Sequence, residues 1–371
     1  APHTQPSGKG TISCLTDLSN TSDSISLAPT GKTVWRPPPQ GNGMPRNFTD
    51  SRPAAPQPQL RGDETFYIVL NTGSGKHQGS EVQDCIRQVL NAAGRQFELI
   101  EVKGGANLAV AAKQAVELAR ANKGVVVAAG GDGTLNAVSN AVLGTGLPFG
   151  ILPQGTFNYF GRTYGISQDT ETATRNLLDS VIEPVQVGML NGKVFLVNAS
   201  LGLYPTLLED REAYKQRYGR SRWVALWSAL VTLFRAHRQL SVQLDFEGST
   251  RSLQTQTIVI GNNALQLEHI GVDQQVELQR DHLVAMTAKP LSTLALYGLV
   301  ARGLISRMGE ADNLISFGFS KMTVRLGPTR RRIKVAMDGE IFRLRAPLEF
   351  HVPKDYLPLL VPRNELLRER V

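Results

Sequence analysis

A buried apolar run that ends in closely spaced glycines constrains this chain more than any other feature. Val125 to Ala129 are five consecutive apolar residues, and Gly130-Gly-Asp-Gly133 follows them directly. Such a run is typical of a strand buried on both faces in a parallel sheet. A helical apolar periodicity begins at Leu135, behind the glycines. Because glycine N–H groups at a helix N-terminus bind anions, the sequence predicts a phosphate-binding turn here.

A second glycine-bearing strand end lies further along the chain. Phe149 to Pro153 is a short apolar run, and Gly155, Thr156 and Asn158 follow it. Ligands of open parallel sheets bind outside the carboxyl ends of the strands, so we expect the two turns to meet at one edge. Neither turn fits the Walker A sequence or the dinucleotide-binding fingerprint. The alternative is a tight turn that binds no ligand, although such a turn does not need the carboxylate of Asp132.

The composition bounds the class of protein. At 371 residues the chain is long enough for two domains, and a hydrophobic content of 41% is ordinary for a globular protein. Two cysteines, Cys14 and Cys85, cannot form a disulfide framework, which predicts a reducing compartment. No apolar run is long enough to span a membrane, and the first residues lack the apolar stretch of a secretory signal. We therefore expect a cytoplasmic protein.

The charge favours an anionic partner. The formal net charge is +8, which suits either a membrane surface or a nucleic acid. No nucleic-acid-binding motif is present, so we expect peripheral association with the inner face of the membrane and no nucleic acid. Residues 211–238 interleave Lys and Arg with Trp223 and Trp227, a pattern that suits a helix at a lipid interface. The alternative is a helix packed on its own domain, with a solvated basic end.

The pattern along the chain predicts two domains. Residues 1–62 are rich in Pro, Gly and Ser, which predicts a disordered tail. Strands alternate with helices over 63–184 and predict a doubly wound parallel α/β domain. Residues 185–352 read mostly as strands and predict an antiparallel β-sandwich. Helical inserts are predicted at about 205–238 and 290–308, and strands at 185–190, 253–260, 274–279 and 340–350 among others.

Five short motifs occur in one order along the chain. They are Asn71-Thr-Gly-Ser-Gly75, Gly130-Gly-Asp-Gly-Thr-Leu-Asn136, Pro153-Gln-Gly-Thr-Phe-Asn158, Asn198-Ala-Ser-Leu-Gly202 and Met337-Asp-Gly-Glu340. Together they resemble the diacylglycerol kinase catalytic domain, and most closely the soluble bacterial lipid kinases, which are related to sphingosine kinases and NAD kinases. The resemblance spans about residues 65 to 362. It implies the same α/β plus all-β fold, an active site in the interdomain cleft, and a last segment, 353–371, that returns to the first domain.

The resemblance implies transfer of a phosphoryl group from ATP, with Mg²⁺, to a hydroxyl of diacylglycerol or a related lipid at an anionic membrane surface. Asn136 has the alternative of fixing its loop, and Asn158 that of a helix N-cap without a ligand role. The implied nucleotide-binding residues are Asn71, Ser74, Gly130, Gly131, Asp132, Gly133, Thr134, Leu135, Asn136, Gly155, Thr156 and Asn158.

Three carboxylates are candidates for catalysis. The resemblance gives the proton-accepting role to Glu340, with Asp338 in support. Because side chains alternate along a strand, the two should point into one cleft, where like charge raises one pKa. The alternative is an Asp-Gly turn between two strands. Asp132 is implied to organise Mg²⁺ or to act on the substrate hydroxyl, and its alternative is a helix cap.

A second Mg²⁺ site is implied by the segment around Asp281. Relatives use two backbone carbonyls and one aspartate, which correspond here to Leu278, Leu283 and Asp281. His282 stands where relatives have glycine. The alternative is an aspartate that merely precedes a strand.

The chain departs from the family pattern in three places, and the alternatives stay open. Tyr159 and Ala137 stand where relatives often have Asp and Glu, and residues 97–106 lack an expected nucleotide-contacting Thr. One alternative is a sphingoid-base or other lipid kinase of the same fold. Another is a catalytically inactive module that senses a nucleotide or a lipid. The sequence also leaves the oligomeric state open, with a homodimer as one alternative.

Overall fold

We examined the fold in a computed structural model. It describes residues 59–73, 79–155, 158–202, 205, 240–246, 248–262, 281–288, 314–327 and 331–369. Several predictions fall outside these residues. They concern residues 1–58 of the predicted tail, nearly all of both helical inserts, the basic segment 211–238, the strand 274–279, and the individual residues Ser74, Thr156 and Leu278.

Strands and helices alternate through the first part of the chain, as predicted. The elements are β1 (Phe66–Asn71), α1 (Gly79–Ala92), β2 (Phe97–Val102), α2 (Leu108–Asn122), β3 (Val125–Gly130), α3 (Asp132–Val142), β4 (Phe149–Pro153), α4 (Tyr159–Thr163), α5 (Thr170–Leu178) and β5 (Ser180–Val185). A short 3₁₀ turn, Gly105–Asn107, precedes α2.

Strands dominate the described remainder. They are β6 (Gly188–Leu190), β7 (Lys193–Phe195), β8 (Asn198–Gly202), β9 (Leu240–Phe246), β10 (Ser249–Thr255), β11 (Thr257–Gly261), β12 (Leu283–Ala288), β13 (Leu314–Phe319), β14 (Lys321–Leu326), β15 (Arg332–Met337), β16 (Glu340–Arg345), β17 (Leu348–His351) and β18 (Leu357–Pro362). A second 3₁₀ turn, Glu365–Leu367, follows them.

The first domain is a six-stranded sheet with helices on both faces. The strand order is β2-β1-β3-β4-β18-β5, parallel except for β5, which runs antiparallel to β18. One face packs on α1 and α5 and the other on α2 and α3. Every residue of β3 is buried, which explains its continuous apolar sequence. The C-terminal strand β18 thus completes the sheet of the first domain.

Two six-stranded antiparallel sheets form the second domain. Their orders are β10-β9-β14-β17-β6-β7 and β13-β12-β11-β8-β15-β16. Side chains from both sheets share one hydrophobic core, in which Phe195 and Phe350 meet edge to face. The predicted fold class, a doubly wound α/β domain followed by an antiparallel β-sandwich, is confirmed.

Several predicted strands have the wrong bounds. The strand predicted over 185–190 is two strands, because the chain crosses at Gln186 and Val187 from the first sheet to the second. Pro184 lies inside β5 without disrupting the sheet, because β5 is an edge strand. The segments 253–260 and 340–350 are likewise divided, at Gln256 and at Ala346–Pro347.

Helices α1 to α5 have at most 15 residues each. None of them combines the length and apolarity that a membrane crossing requires.

Candidate active site

The two glycine turns lie together at the carboxyl ends of β3 and β4. A Cβ atom on Gly155 would lie 3.1 Å from the Cα of Gly131, so the two backbones are in direct contact. Gly130 packs against the Thr134 side chain, where a Cβ atom would lie 2.6 Å from the Thr134 Cβ. A side chain at Gly155 would push the two turns apart, and a side chain at Gly130 would overlap Thr134. The glycines are therefore needed for the close approach of the two loops.

Asn71 and Thr134 hold the first turn in place. The Asn71 Nδ2 donates to Thr134 Oγ1 at 3.0 Å, and the Asn71 Oδ1 accepts from the Gly73 N–H at 3.2 Å. The N–H groups of Thr134 and Leu135 donate to the Gly131 carbonyl. In the first turn of α3, the N–H groups of Asp132 and Gly133 precede the first intrahelical bonds and suit an anion.

Asn158 closes the second turn. Its Oδ1 accepts from the Gly155 N–H at 3.0 Å, and its Nδ2 donates to the Gly155 carbonyl at 2.8 Å and to Gln168 Oε1 at 2.7 Å. Asn158 occupies the N-cap position of α4, but its side chain makes no capping bond. The side chain is buried and braces the Gly155 loop, so the N-cap alternative is right about position and wrong about the side chain.

Asp132 is the first residue of α3 and lies in an unusual electrostatic environment. Gly131 is the N-cap and no side-chain capping bond is present, so the capping alternative for Asp132 is wrong. Burial, and to a lesser extent the Asp338 carboxylate, raise the pKa of Asp132 to about 6. A hydrogen bond from the Asn158 N–H acts in the opposite direction and lowers this pKa. Among the described residues, the buried Oδ1 of Asp132 finds no hydrogen-bond partner.

Asp338 belongs to a hairpin turn and not to a strand. β15 ends at Met337 and β16 begins at Glu340, and Asp338 and Gly339 between them have φ angles of 46° and 85°. Two positive φ angles are typical of a tight two-residue hairpin turn, for which Asp-Gly is a preferred sequence. The prediction that both carboxylates lie on one side of a strand is therefore wrong, and the turn alternative is correct. The like-charge pair is Asp132 with Asp338.

The carboxylate of Asp338 is enclosed by donors. It accepts hydrogen bonds from the N–H groups of Leu196, Val197 and Asn198 at 2.8, 2.9 and 3.1 Å. The Nδ2 of Asn136 adds a fourth at 2.7 Å. Burial raises the pKa of Asp338, and these four donors oppose that rise. Asp338 is thus an anchor that fixes the hairpin turn against both α3 and segment 196–198.

Two asparagines on α3 form hydrogen bonds with the second domain. The Nδ2 of Asn136 donates to the Val194 carbonyl at 2.8 Å, and the Val194 N–H donates to the Asn140 Oδ1 at 3.1 Å. These contacts favour the loop-fixing alternative for Asn136. Asn140 was missed from the sequence, although its spacing of four residues from Asn136 places both on one helix face.

Glu340 reaches from the hairpin to the first turn of α3. A Cβ atom on Gly133 would overlap Glu340 Oε1 and would lie 3.1 Å from its carboxyl carbon. Glu340 is exposed to solvent, in contrast to the enclosed carboxylate of Asp338. The structure thus brings Asp132 and Gly133 close to Asp338 and Glu340. The two pairs are more than 200 residues apart in the sequence.

Two further residues, Gln186 and Asn262, support segment 196–198 from behind. Asn262 donates from Nδ2 to the Leu196 carbonyl and from its N–H to the Val197 carbonyl, both at 3.1 Å. Gln186 Nε2 donates to Asn262 Oδ1 at 3.0 Å. Neither residue was found from the sequence, because no local pattern distinguishes them from other polar residues between strands.

The Asp281 region is joined to the same network. The Asp281 N–H donates to Gln186 Oε1 at 2.7 Å, and the Tyr356 hydroxyl donates to Asp281 Oδ1 at 2.8 Å. Leu283 is the first residue of β12, and its side chain lies in the sandwich core. With Leu278 outside the described residues, the second Mg²⁺ site stays a prediction.

The residues at the α3 turn fit a divalent cation. An orphaned, buried carboxylate oxygen on Asp132 has the chemistry that Mg²⁺ prefers, and a cation there would offset the unfavourable burial of that charge. The described ranges contain no cluster of three or more His, Cys, Asp and Glu side chains that could enclose a metal. A cation held by Asp132 would therefore take its other ligands from a bound phosphate and water.

The two glycine turns, the buried Asp132 carboxylate beside them and Glu340 from the second domain form the candidate active site. Residues 65–190 match the family described as the diacylglycerol kinase catalytic domain. Residues 65–190 therefore resemble this catalytic domain, and the resemblance predicted from the five motifs is confirmed.

Two individual relatives share 31% and 23% sequence identity with the chain. The chain is 31% identical over 146 residues to a diacylglycerol kinase of Bacillus subtilis (strain 168), a match covering 38% of this chain and 47% of that protein. It is 23% identical over 294 residues to an uncharacterized protein of Synechocystis, covering 75% of this chain and 66% of that one. The matches thus span from about half to two thirds of the relatives' lengths.

A solved structure shares the fold. The crystal structure of a diacylglycerol kinase from Bacillus anthracis str. Sterne superposes with a TM-score of 0.58 at 18% sequence identity. The superposition covers 82% of this chain and 98% of the other. At this identity the likeness supports the two-domain architecture and nothing finer.

Proposed function

We propose that this protein is an ATP- and Mg²⁺-dependent lipid kinase that phosphorylates a hydroxyl of diacylglycerol or a related lipid. The observation that carries the proposal is the contact of the Glu340 carboxylate with Gly133 in the first turn of α3. A group able to accept a proton lies beside a turn suited to a phosphate. Phosphoryl transfer to an alcohol needs these two functions side by side.

The α3 turn would hold the phosphates of ATP. The N–H groups of Asp132 and Gly133 and the positive end of an 11-residue helix would face the anion, with the Gly155 loop adjoining them. Mg²⁺ held by Asp132 would neutralise charge on the phosphoryl group being transferred. The enclosed position of Asp132 lowers the local dielectric and strengthens that interaction.

Glu340 would act on the acceptor. Its carboxylate takes the proton of the lipid hydroxyl while the hydroxyl oxygen bonds to the γ-phosphorus, and the bond from that phosphorus to the β-phosphate oxygen breaks, releasing ADP. Asp338 is unsuited to this role because all four of its hydrogen bonds come from fixed donors. Asp338 instead holds the turn that places Glu340.

The relative named a diacylglycerol kinase supports a lipid acceptor. The acceptor is tested by radiolabel transfer from γ-³²P-ATP into mixed micelles of diacylglycerol, phosphatidylglycerol, sphingosine or ceramide, with NAD as a soluble control. We expect label in one lipid, lost in Glu340→Gln and retained in Glu349→Gln, which removes an exposed carboxylate from β17. Label in sphingosine alone would identify a sphingoid-base kinase. ATP binding without label in any acceptor would favour the sensing module.

A further inference from the structure

The residues that follow β18 return to the connection between α4 and α5. The Arg368 side chain pairs with Glu183 on β5 at 2.7 Å. A Cβ atom on Gly165 would lie 2.6 Å from the Arg368 Cβ, so a side chain at Gly165 would obstruct this approach. The segment after β18 therefore passes directly against residues 165–168, which we call the α4–α5 loop.

Glu369, the next residue along this segment, bonds to the loop at three positions. Its N–H donates to the Gly165 carbonyl at 3.0 Å. Its Oε1 accepts from the hydroxyl of the buried Ser167, and both its carboxylate oxygens accept from the Gln168 N–H at 3.4 Å. The Ser167 Oγ also accepts from the Asp169 N–H at 3.2 Å. Glu369 thus holds the loop on both sides of Gln168.

Gln168 carries this contact to the second glycine turn. Its Oε1 accepts from Asn158 Nδ2 at 2.7 Å, while its Nε2 is held by a backbone carbonyl of the same loop. Asn158 in turn bonds to both the N–H and the carbonyl of Gly155, and its own N–H bonds to the Asp132 carboxylate. One chain of hydrogen bonds therefore joins Glu369 to both glycine turns of the candidate active site.

We propose that Glu369 is a positioning residue for the Gly155 turn and, through it, for ATP. This inference rests on the proposed function, in which the Gly155 turn adjoins the phosphates of ATP. A turn that is fixed before its ligand arrives binds more tightly than one that must be ordered on binding. Removing the Glu369 carboxylate frees the α4–α5 loop and, through Gln168, loosens the bonds that Asn158 makes to Gly155.

The alternative is that Glu369 only anchors the segment after β18. The test removes its carboxylate and leaves the rest of the segment in place. Glu369→Ala loses the acceptor, whereas Glu369→Gln keeps one acceptor oxygen for the Ser167 hydroxyl. The matched control, Glu365→Ala, removes an exposed carboxylate from the 3₁₀ turn of the same segment.

Three measurements follow each variant. Exchange of the Gly155 amide hydrogen, which is bonded to Asn158 Oδ1, is measured by NMR in the protein without ligand. The Kd for ATP is measured by calorimetry. Label transfer to lipid then gives kcat and the KM for the lipid.

We expect faster Gly155 exchange in Glu369→Ala, and a Kd for ATP raised about three- to tenfold, the range set by one hydrogen bond. The kcat and the KM for the lipid should change less, because Glu340 and its hairpin turn are untouched. Glu369→Gln and Glu365→Ala should resemble the wild type. Faster exchange in both alanine variants, or in neither, would overturn the proposal. An unchanged Kd for ATP, or a Glu369→Gln protein as impaired as Glu369→Ala, would overturn it equally.

A double-mutant cycle tests whether the effect passes through Gln168. Gln168→Ala removes the acceptor for Asn158 Nδ2 and should itself raise the Kd for ATP. Adding Glu369→Ala should then have little further effect, because the connection is already broken. Additive losses would mean that Glu369 acts by a route that avoids Gln168, which contradicts the proposed chain.

The two proposals fail separately. If wild-type protein binds ATP and labels no lipid while the exchange and affinity results hold, the kinase assignment is wrong and the positioning role stands. If wild-type protein labels lipid and Glu369→Ala matches it in exchange and in ATP affinity, only the positioning role is wrong. A wild-type protein that binds no ATP would overturn both.

Discussion

Asn136 and Asp338 are 202 residues apart and are joined by a hydrogen bond of 2.7 Å from Nδ2 to Oδ2. One residue lies on helix α3 of the first domain and the other in a hairpin turn of the second. Because Glu340 follows Asp338 by two residues, this bond sets where the Glu340 carboxylate meets Gly133. The turn proposed to bind phosphate and the carboxylate proposed to accept the proton are thus aligned by a contact between two other residues.

Asn136→Ala should separate alignment from folding. The change removes the bonds to Asp338 and to the Val194 carbonyl, and we expect a loss of about 1–3 kcal/mol in unfolding free energy. Turnover should fall at least tenfold, because the hairpin turn loses its contact with α3. Urea unfolding and label transfer to lipid measure the two effects.

The control for this change is Asn140→Ala, which removes the bond from the Val194 N–H to Asn140 Oδ1. It should lower stability with a smaller effect on turnover. Equal losses of turnover in the two variants would contradict a specific role for the bond between Asn136 and Asp338.

Gly133→Ala should impair turnover without harming the fold. Alanine is a better helix former than glycine by up to about 1 kcal/mol, so the unfolding free energy should be unchanged or higher. The new Cβ atom would overlap Glu340 Oε1, and the flexible side chain would have to move away. We expect turnover to drop about 100-fold or more, with ATP affinity less affected.

Gly105→Ala is the matched glycine substitution, because a Cβ atom there would meet no atom within 4 Å. It should leave turnover unchanged. Normal turnover in Gly133→Ala would show that the position of Glu340 beside α3 is not needed for the reaction.

The sequence predicted most of the first domain because its signals are local. The apolar run of β3, the periodicity of α1 and the glycines at 130–133 each depend on neighbours within a few residues.

The prediction for Asp338 and Glu340 was wrong at the hairpin. It treated the two residues as alternating positions of one strand, whereas a two-residue turn at Asp338 and Gly339 reverses the chain before Glu340. A favoured Asp-Gly turn was the stronger local signal.

The remaining site residues could not be predicted because their roles depend on distant partners. Gln186 contacts Asn262 across 76 positions, and Asn136 contacts Asp338 across 202. No periodicity or turn preference encodes such pairs in a single chain. Family resemblance proposed the residues of the glycine turn at the end of β3, while the hydrogen-bond network around that turn became visible only from the folded contacts.

The raised pKa of Asp132 predicts a pH-dependent stability. A carboxyl group whose pKa is about 6 when folded and 3.8 when unfolded binds a proton more readily in the folded state. Ionised Asp132 therefore destabilises the fold above pH 6, and the effect disappears as the pH falls towards 4. Without nucleotide or metal, Asp132→Asn should exceed the wild type in unfolding free energy at pH 7 by up to about 3 kcal/mol.

Urea unfolding of both proteins at several pH values between 4 and 7 tests this. The quantity to compare is the difference in unfolding free energy between the two proteins at each pH, because other groups titrate equally in both. A difference that does not change with pH, or a wild type that is more stable at pH 7, would contradict the environment described for Asp132. Asp132→Asn should also abolish label transfer under the proposed function.

Asn262→Ala should act on Asp338 at a distance. Asn262 fixes the carbonyls of Leu196 and Val197, whose N–H groups hold the Asp338 carboxylate. The substitution removes the Nδ2 bond to the Leu196 carbonyl and keeps the backbone N–H bond to the Val197 carbonyl. Losing the Nδ2 bond should loosen segment 196–198, so its amide hydrogens should exchange faster. Turnover should fall with little change in the apparent affinity for ATP, because the α3 turn itself is untouched.

Asn122→Ala, which removes the bond to the Tyr67 hydroxyl at the end of α2, is the control. If both variants lower stability but exchange at 196–198 stays slow in Asn262→Ala, then Asn262 supports the fold generally and does not position Asp338.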